Sequence, residues 1–126
     1  MHSISIDTRR LTIFLTVAEE LHFRRAAKRL HMSQPPLSMA IRSLEEDLGV
    51  QLLERSTRAV RLTRSGMHLY EHGQRLLQDM IQLETQVQQV ATGQIGALRL
   101  GFVGIAMWMD LPNVIRDFRA AFPKVQ

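Results

Sequence analysis

The stretch from Phe23 to Gly49 constrains this chain more than any other, because two short helical patterns meet there across a very tight turn. The first reads Phe23-Arg24-Arg25-Ala26-Ala27-Lys28-Arg29-Leu30, with Ala26, Ala27 and Leu30 small or apolar at spacings that share a face. The second opens Ser33-Gln34-Pro35-Pro36-Leu37-Ser38 and runs to Leu48. Within it Leu37, Ile41, Leu44 and Leu48 recur at i, i+4, i+7 and i+11, one buried stripe of an α-helix. Only His31-Met32 separates the two. Residues 23–42 therefore have the plan of a helix-turn-helix, a motif whose second helix enters a DNA major groove.

Composition narrows the alternatives. Hydrophobic residues make up 45% of the chain, too many for a disordered tail, and no apolar run is long enough to cross a bilayer. The first ten residues include Asp7, Arg9 and Arg10 and lack the apolar core of a secretory signal. There is no cysteine, which excludes disulfides and thiolate zinc sites. Seven methionines and no export signal fit a soluble cytoplasmic protein. The net charge of +4 is unevenly spread: eleven basic residues oppose seven acidic ones over residues 1–65, whereas residues 66–92 are net acidic. The basic excess sits where attraction to phosphate would need it.

Around the motif, Asp7 or Thr8 is the expected N-cap of a first helix with a stripe of Leu11, Phe14, Leu15, Ala18 and Leu21. Gly49 ends the third helix in the left-handed conformation that glycine favours. Leu52–Arg55 and Ala59–Leu62, around Ser56-Thr57-Arg58, read as a β-hairpin, the wing of a winged helix-turn-helix. From Thr63 to Thr92 there is no proline, and Leu69, Leu76, Leu83 and Val90 repeat every seven residues with Gly73, Met80 and Val87 between them. That is a heptad seam. A helix of roughly thirty residues spans about 45 Å, too long to hide a seam inside a domain this small. A second copy is its expected partner, through Leu69, Leu76, Met80, Leu83, Val87 and Val90.

Thr92–Gly96 then breaks the helix. Leu98-Arg99-Leu100-Gly101-Phe102-Val103-Gly104 reads as a buried strand, and Asp110-Leu111-Pro112 starts a helix with an apolar face of Leu111, Val114, Ile115, Phe118 and Phe122, stopped by Pro123. One strand and one helix cannot satisfy their own backbone or cover their own apolar face. The expected fold is mainly α: a winged helix-turn-helix over 6–63, a linker and dimerisation helix over 64–93, and a truncated start of an α/β domain over 97–126.

These residues resemble the LysR-type bacterial transcriptional regulators. The matching marks are Phe14, Phe23, Arg25-Ala26-Ala27, Leu30, Ser33-Gln34-Pro35, Leu37-Ser38, Ile41, Leu44-Glu45, Leu48-Gly49-Val50, Leu52-Leu53-Glu54-Arg55, Leu62-Thr63 and Gly66. Gln34–Ser38, Leu53–Ser56 and Gly101–Gly104 look most like regulators of benzoate, catechol and chlorocatechol degradation. The resemblance implies a DNA-binding regulator and a dimerising linker helix. It also implies a periplasmic-binding-protein-like domain that senses a small-molecule effector, an acid of aromatic catabolism in that subgroup. It implies a homodimer, with a tetramer as the alternative in a full-length protein. The family often has Arg-Gln after the Ser38 position, where this chain has Met39-Ala40; that removes a usual phosphate or base contact.

Each candidate contact has a bland counterpart. Gln34 opens the recognition helix, and its amide matches adenine N6 and N7. Ser33 is the N-cap by position, but Pro35 and Pro36 lack the N–H groups it would normally hold, leaving its hydroxyl for phosphate. Pro35 and Pro36 offer apolar contact to a thymine methyl, Ser38 lies one turn on from Gln34, and Met39 follows it. Arg42 either contacts DNA or pairs with Glu45 or Glu46. Arg24 and Arg25 face either solvent or phosphate, and Arg58 at the wing tip suits the minor groove or a phosphate. Arg55 is a candidate structural partner of an acidic side chain. Glu45, Glu46 and Asp47 would repel phosphate, so the helix is expected to enter the groove by its N-terminus.

His68-Leu69-Tyr70-Glu71-His72 matches H-x-x-E-H, a zinc-peptidase pattern, yet it lies on the linker helix with a seam leucine inside it. No metal, cofactor or catalytic residue is expected, since no nucleophile, acid–base pair or phosphate loop accompanies it. The alternative from another class is a helical interaction module that pairs by its long helix and reads no DNA. A zinc hydrolase is a third.

Overall fold

The computed structural model describes residues 3–56, 59–101 and 110–126. Among them run α1 (Thr8–Glu20), α2 (Phe23–Arg29), α3 (Gln34–Leu48), β1 (Leu53–Arg55), β2 (Val60–Leu62), α4 (Arg64–Ala91), β3 (Ile95–Gly96), α5 (Leu111–Ala121) and β4 (Lys124–Val125). The chain divides into two units, Met1–Asp79 and Met80–Gln126, so the first half of α4 belongs with the helix-turn-helix.

In the first unit Asp7 caps α1, its carboxylate accepting from the Arg10 backbone N–H at 2.9 Å. The helix is more enclosed than a single stripe predicts: Leu11, Ile13, Phe14, Leu15, Thr16, Val17 and Ala18 are all buried. The Thr16 hydroxyl meets its own need by donating to Thr12 O at 2.8 Å. Leu21, expected in the stripe, is instead the exposed C-cap at φ 49°, because the chain must reverse there into α2. Ala26 and Ala27 let α2 approach, and Leu37, Ile41 and Leu44 bring α3 onto the same core.

The C-termini of α2 and α3 are closed in the same way. At α2, His31 takes φ 54°, its N–H reaching Lys28 O at 3.2 Å and that of Met32 reaching Ala27 O at 3.0 Å. At α3, Gly49 takes φ 68°, with Gly49 N–H on Glu46 O and Val50 N–H on Glu45 O, both 3.2 Å. These paired bonds satisfy carbonyls that a helix end would otherwise strand. The wing follows: β1 and β2 are antiparallel, with Leu53 opposite Leu62 and Arg55 opposite Val60. Arg58, expected at its tip, lies outside the described residues.

Thr63 joins wing to linker helix. Its hydroxyl donates to Gln51 O at 2.6 Å and accepts from Gly66 N–H at 3.0 Å. The docking face of α4 carries Gly66, Leu69, Tyr70, Gly73 and Leu77; the two glycines are buried, and the three side chains pack on the core. Leu69 is thus engaged by its own chain, and the uncovered part of the expected seam runs through Leu76, Met80, Leu83, Val87 and Val90, all exposed.

In the second unit α4 ends at Gly93 (φ 76°), with Gln94 N–H on Gln89 O at 2.7 Å. The expected strand at 98–104 is not found over 98–101, where Leu98 and Leu100 are exposed; Phe102-Val103-Gly104 lie outside the described residues. The reason is pairing. Among the described residues Ile95–Gly96 pairs with β4, beyond Pro123, and the two run parallel. Gln126 N–H continues the ladder to Gly96 O at 2.8 Å and Leu98 N–H to Gln126 O at 2.7 Å. Helix α5 has Asp110 as N-cap and Pro112 in its first turn. Leu111, Ile115, Phe118 and Phe122 are half-buried, while Val114 is exposed.

The glycines of α4 give an asymmetric prediction. A Cβ on Gly66 would stand 2.0 Å from the Leu52 backbone oxygen, whereas one on Gly73 would meet the tip of Leu11 at 2.9 Å. Alanine gains about 1 kcal/mol of helix propensity over glycine. Gly73→Ala should therefore change stability by less than about 1 kcal/mol, since Leu11 can shift. Gly66→Ala should cost about 3 kcal/mol or more, since the wing backbone cannot. Urea denaturation of the two variants measures both.

Candidate nucleic-acid interface

Burial of Leu37, Ile41 and Leu44 on one side of α3 turns Pro35, Met39, Arg42 and Ser43 to the opposite side, where all four are exposed. Gln34 and Ser38 lie on the flank between; Gln34 is exposed and Ser38 half-buried. Ser33 holds the N-cap position of α3 without a side-chain cap bond, as two prolines in the first turn require. The helix N-terminus thus presents Ser33, Gln34, Pro35 and Pro36 together, all exposed.

Gln34 also lines a shallow cleft with His22, Arg24, Ser56 and Ala59, so the start of α2, the start of α3 and the turn end of the wing converge. Arg24 and Arg25 differ sharply. Arg24 makes no hydrogen bond or ion pair among the described residues and is exposed. Arg25 is held at the C-terminus of α1, donating to Glu20 O at 3.0 Å and standing 3.6 Å from the Glu20 carboxylate. Arg29 likewise serves the fold: Glu19 accepts its hydrogen bond, and that contact raises the guanidinium pKa further.

At the other end of α3 the acidic cluster is mostly spoken for. Glu45, with a side chain only 11% exposed, accepts from the backbone N–H groups of Leu52 (3.1 Å) and Leu53 (3.2 Å) and pairs with Arg55 at 3.1 Å. Arg55 is therefore the structural partner that its position in the strand suggested. Asp47 pairs with Arg10 at 2.8 Å, and Arg10 also donates to Ser43 Oγ, Ser5 O and Asp7. The Arg10 backbone N–H, then its guanidinium, hold the Asp7 carboxyl below its ordinary pKa. Arg42 makes no ion pair with Glu45 or Glu46, and its charge is left toward solvent. Of the candidate cations on α2 and α3, Arg24 and Arg42 remain for an external anion.

Sequence reasoning read Glu45 as a phosphate-repelling charge and missed its role as the clasp of the wing. No local signal announces a carboxylate that accepts from backbone seven residues later. His68 and His72 stack with ring centroids 4.2 Å apart, both exposed, and no cluster of three metal-ligating side chains occurs among the described residues.

The Glu45 clasp generates a graded prediction. Glu45→Ala strands two N–H groups and should lower stability by about 1–3 kcal/mol. Glu45→Gln keeps a carbonyl acceptor, loses only the negative charge that faces Arg55, and should cost about half as much or less. Thermal or urea unfolding of the pair distinguishes the clasp from a surface ion pair, for which the two substitutions would be equal.

Residues 8–67 match the family described as bacterial regulatory helix-turn-helix protein, lysR family. The HTH-type transcriptional regulator AlsR of Bacillus subtilis (strain 168) is 45% identical over 121 residues, which are 96% of this chain and 40% of that protein. The chain thus spans about two fifths of the length of the curated relatives it matches. The crystal structure of CbnR, a LysR family transcriptional regulator, superposes with a TM-score of 0.89 at 36% identity, covering 96% of this chain and 42% of that one. A crystal structure of a BenM DBD/catB site 1 DNA complex matches with a TM-score of 0.66 at 41% identity, over 68% of this chain and 97% of that one. With a DNA-binding module covered almost end to end at that identity, and a helix-turn-helix closed, winged and docked as described, this chain belongs to the LysR family of bacterial regulatory helix-turn-helix proteins.

Proposed function

We propose that the chain is the DNA-reading, self-pairing part of a bacterial transcriptional regulator, not an enzyme, that lays the N-terminus of α3 into the major groove of a dyad operator. The observation that carries this is the exposed start of α3, where Ser33 makes no cap bond and Gln34 shares a cleft with Arg24, which has no ion pair among the described residues. The DNA complex of the related BenM module supports it. In this reading Ser33 and Arg24 meet phosphate, and Gln34, Pro35, Pro36, Ser38 and Met39 face base edges. Arg42 approaches the backbone one turn further on, and Arg25 acts by holding α2 to α1. Arg58 at the wing meets the minor groove or a phosphate. The cellular site of action is the cytoplasm; no described helix is long and apolar enough to cross a membrane. The unit that starts at Met80 would open an α/β domain for a small-molecule effector, an acid of aromatic catabolism by the subgroup resemblance.

A duplex selected from a random pool tests the DNA reading. Gln34→Ala should lose about 1–3 kcal/mol on the selected duplex and almost nothing on unrelated DNA, because base contacts add little to the phosphate attraction. Equal losses on both would remove Gln34 from sequence readout. A pool that yields no enriched sequence would leave self-pairing as the function.

Pairing has its own test. Leu76, Met80, Leu83, Val87 and Val90 are exposed at four- and three-residue intervals along α4, the pattern a parallel or antiparallel copy covers. Two paired chains place two recognition helices on one duplex. Leu76→Ala with Leu83→Ala should cost about 2–5 kcal/mol per buried leucine in the dimer and shift the chain toward monomer. The variant should then bind a full dyad little better than a half-site. Sedimentation showing the wild-type chain monomeric at micromolar concentration would overturn the pairing.

A further inference from the structure

The outward side of α3 holds one feature that hydrogen-bond readout does not use. Met39 is 69% exposed, among the most exposed large hydrophobic side chains described. It stands opposite the buried Leu37–Ile41–Leu44 stripe, one turn after exposed Pro35 and one turn before exposed Arg42 and Ser43. With Pro36 also exposed, the first two turns of the helix present a small apolar island, Pro35, Pro36 and Met39, inside a polar and cationic rim.

The size of the island decides what fits it. Three side chains on one helix fall far short of the roughly 800 Å² per partner that a stable protein interface buries. They suit a ligand group of one or two carbons. A base edge in the major groove offers one such group: the 5-methyl of thymine, or of 5-methylcytosine. Methionine is well matched, being unbranched, polarizable and free to follow a methyl whose position shifts with groove width. The cation one turn on, Arg42, makes no ion pair among the described residues and suits the phosphates flanking such a base.

The geometry points to Met39 as a specificity-determining residue that recognises a pyrimidine 5-methyl group in the major groove, with Pro35 as the other wall. This rests on the DNA reading proposed above, and to the thymine-methyl contact expected of Pro35 and Pro36 it adds Met39 as the residue that sets the discrimination. It makes this helix sensitive to a methyl group at one position per half-site, where no hydrogen bond distinguishes thymine from uracil.

The probe is the duplex selected by the full chain from a random pool, with each thymine replaced in turn by deoxyuridine, which removes the methyl and nothing else. At one position per half-site the wild-type chain should lose about fourfold in affinity, the loss expected for uncovering one methyl. Met39→Ala should bind the thymine and deoxyuridine duplexes equally at that position. Met39→Leu, which keeps an apolar side chain, should retain most of the discrimination. Restoring the methyl on cytosine at the same position should recover part of the affinity for wild type and none for Met39→Ala. Met39 supports no core contact, so all variants should unfold as wild type does. If no thymine shows methyl sensitivity, or if Met39→Ala keeps the wild-type sensitivity, the assignment to Met39 is overturned while sequence-specific binding stands. If the pool yields no enriched sequence, the DNA reading itself has failed and this inference with it.

Discussion

Leu37, Ile41 and Leu44 are fully buried against the helices around them, and that contact fixes the rotation of α3 about its own axis. An α-helix has one azimuth to give away. Once a third of it is sealed in the core, the residues opposite must face outward, whatever their chemistry. Gln34 and Ser38 on one flank, with Pro35, Met39, Arg42 and Ser43 on the outer side, follow from this burial alone. Depth of insertion is set at the ends. Two prolines leave the N-terminus without its first donors and without a side-chain cap, so that end is chemically open. The other end is closed by Gly49 and by carboxylates tied to Arg10 and Arg55. Helix α3 therefore has an exposed entry end and a braced rear.

The brace extends to α4 through close approach. Gly66 lies against the Leu52 backbone, which leaves no room for an added carbon, and Gly73 against the tip of Leu11, which leaves room only if that side chain shifts. Thr63 reinforces the first contact by bonding both Gln51 O and Gly66 N–H. Leu69, Tyr70 and Leu77 pack against the core along the same face. Wing, core and the first half of α4 are consequently one packed body, which is why the first unit extends to Asp79. A seam that began at Leu69 would have to choose between core and partner, and here the core has it.

Much of this was legible in the sequence because the signals were periodic or local. The 3.6-residue spacing located α3 and its buried side, glycine marked two helix ends, and the family marks over residues 6–66 identified the winged motif. What stayed hidden was relational. Glu45 could be placed near a dipole end, yet nothing nearby says that its carboxylate reaches Leu52 and Leu53 N–H. Arg25 and Arg24 are adjacent and identical in type, and only the fold separates the one held by Glu20 from the one left free. The strand expected at 98–104 shows the same limit from another side. An apolar run says that a segment prefers burial, while the ladder goes where a partner is, here Ile95–Gly96 with Lys124–Val125. Gly73 did carry a signal: a glycine inside a long helix costs about 1 kcal/mol against alanine and calls for a packing reason.

Two sets of apolar side chains remain uncovered on α3 and α4, and their dimensions separate their uses. Along α4, Leu76 to Val90 covers two heptads, and its spacing matches the pitch of another helix. Nothing smaller than a helix would cover it without leaving residues wet. On α3 the exposed apolar surface is a single methionine between prolines, bounded by Arg42 and Ser43 one turn on. Nothing as large as a helix could rest on it without burying that charge unpaired, which costs far more than one methionine returns. On the reading proposed above, the same driving force, removal of carbon from water, favours a second copy of the chain in one place and a single methyl group in the other. Under that proposal the first sets how far apart two recognition helices stand, and the second sets what each reads.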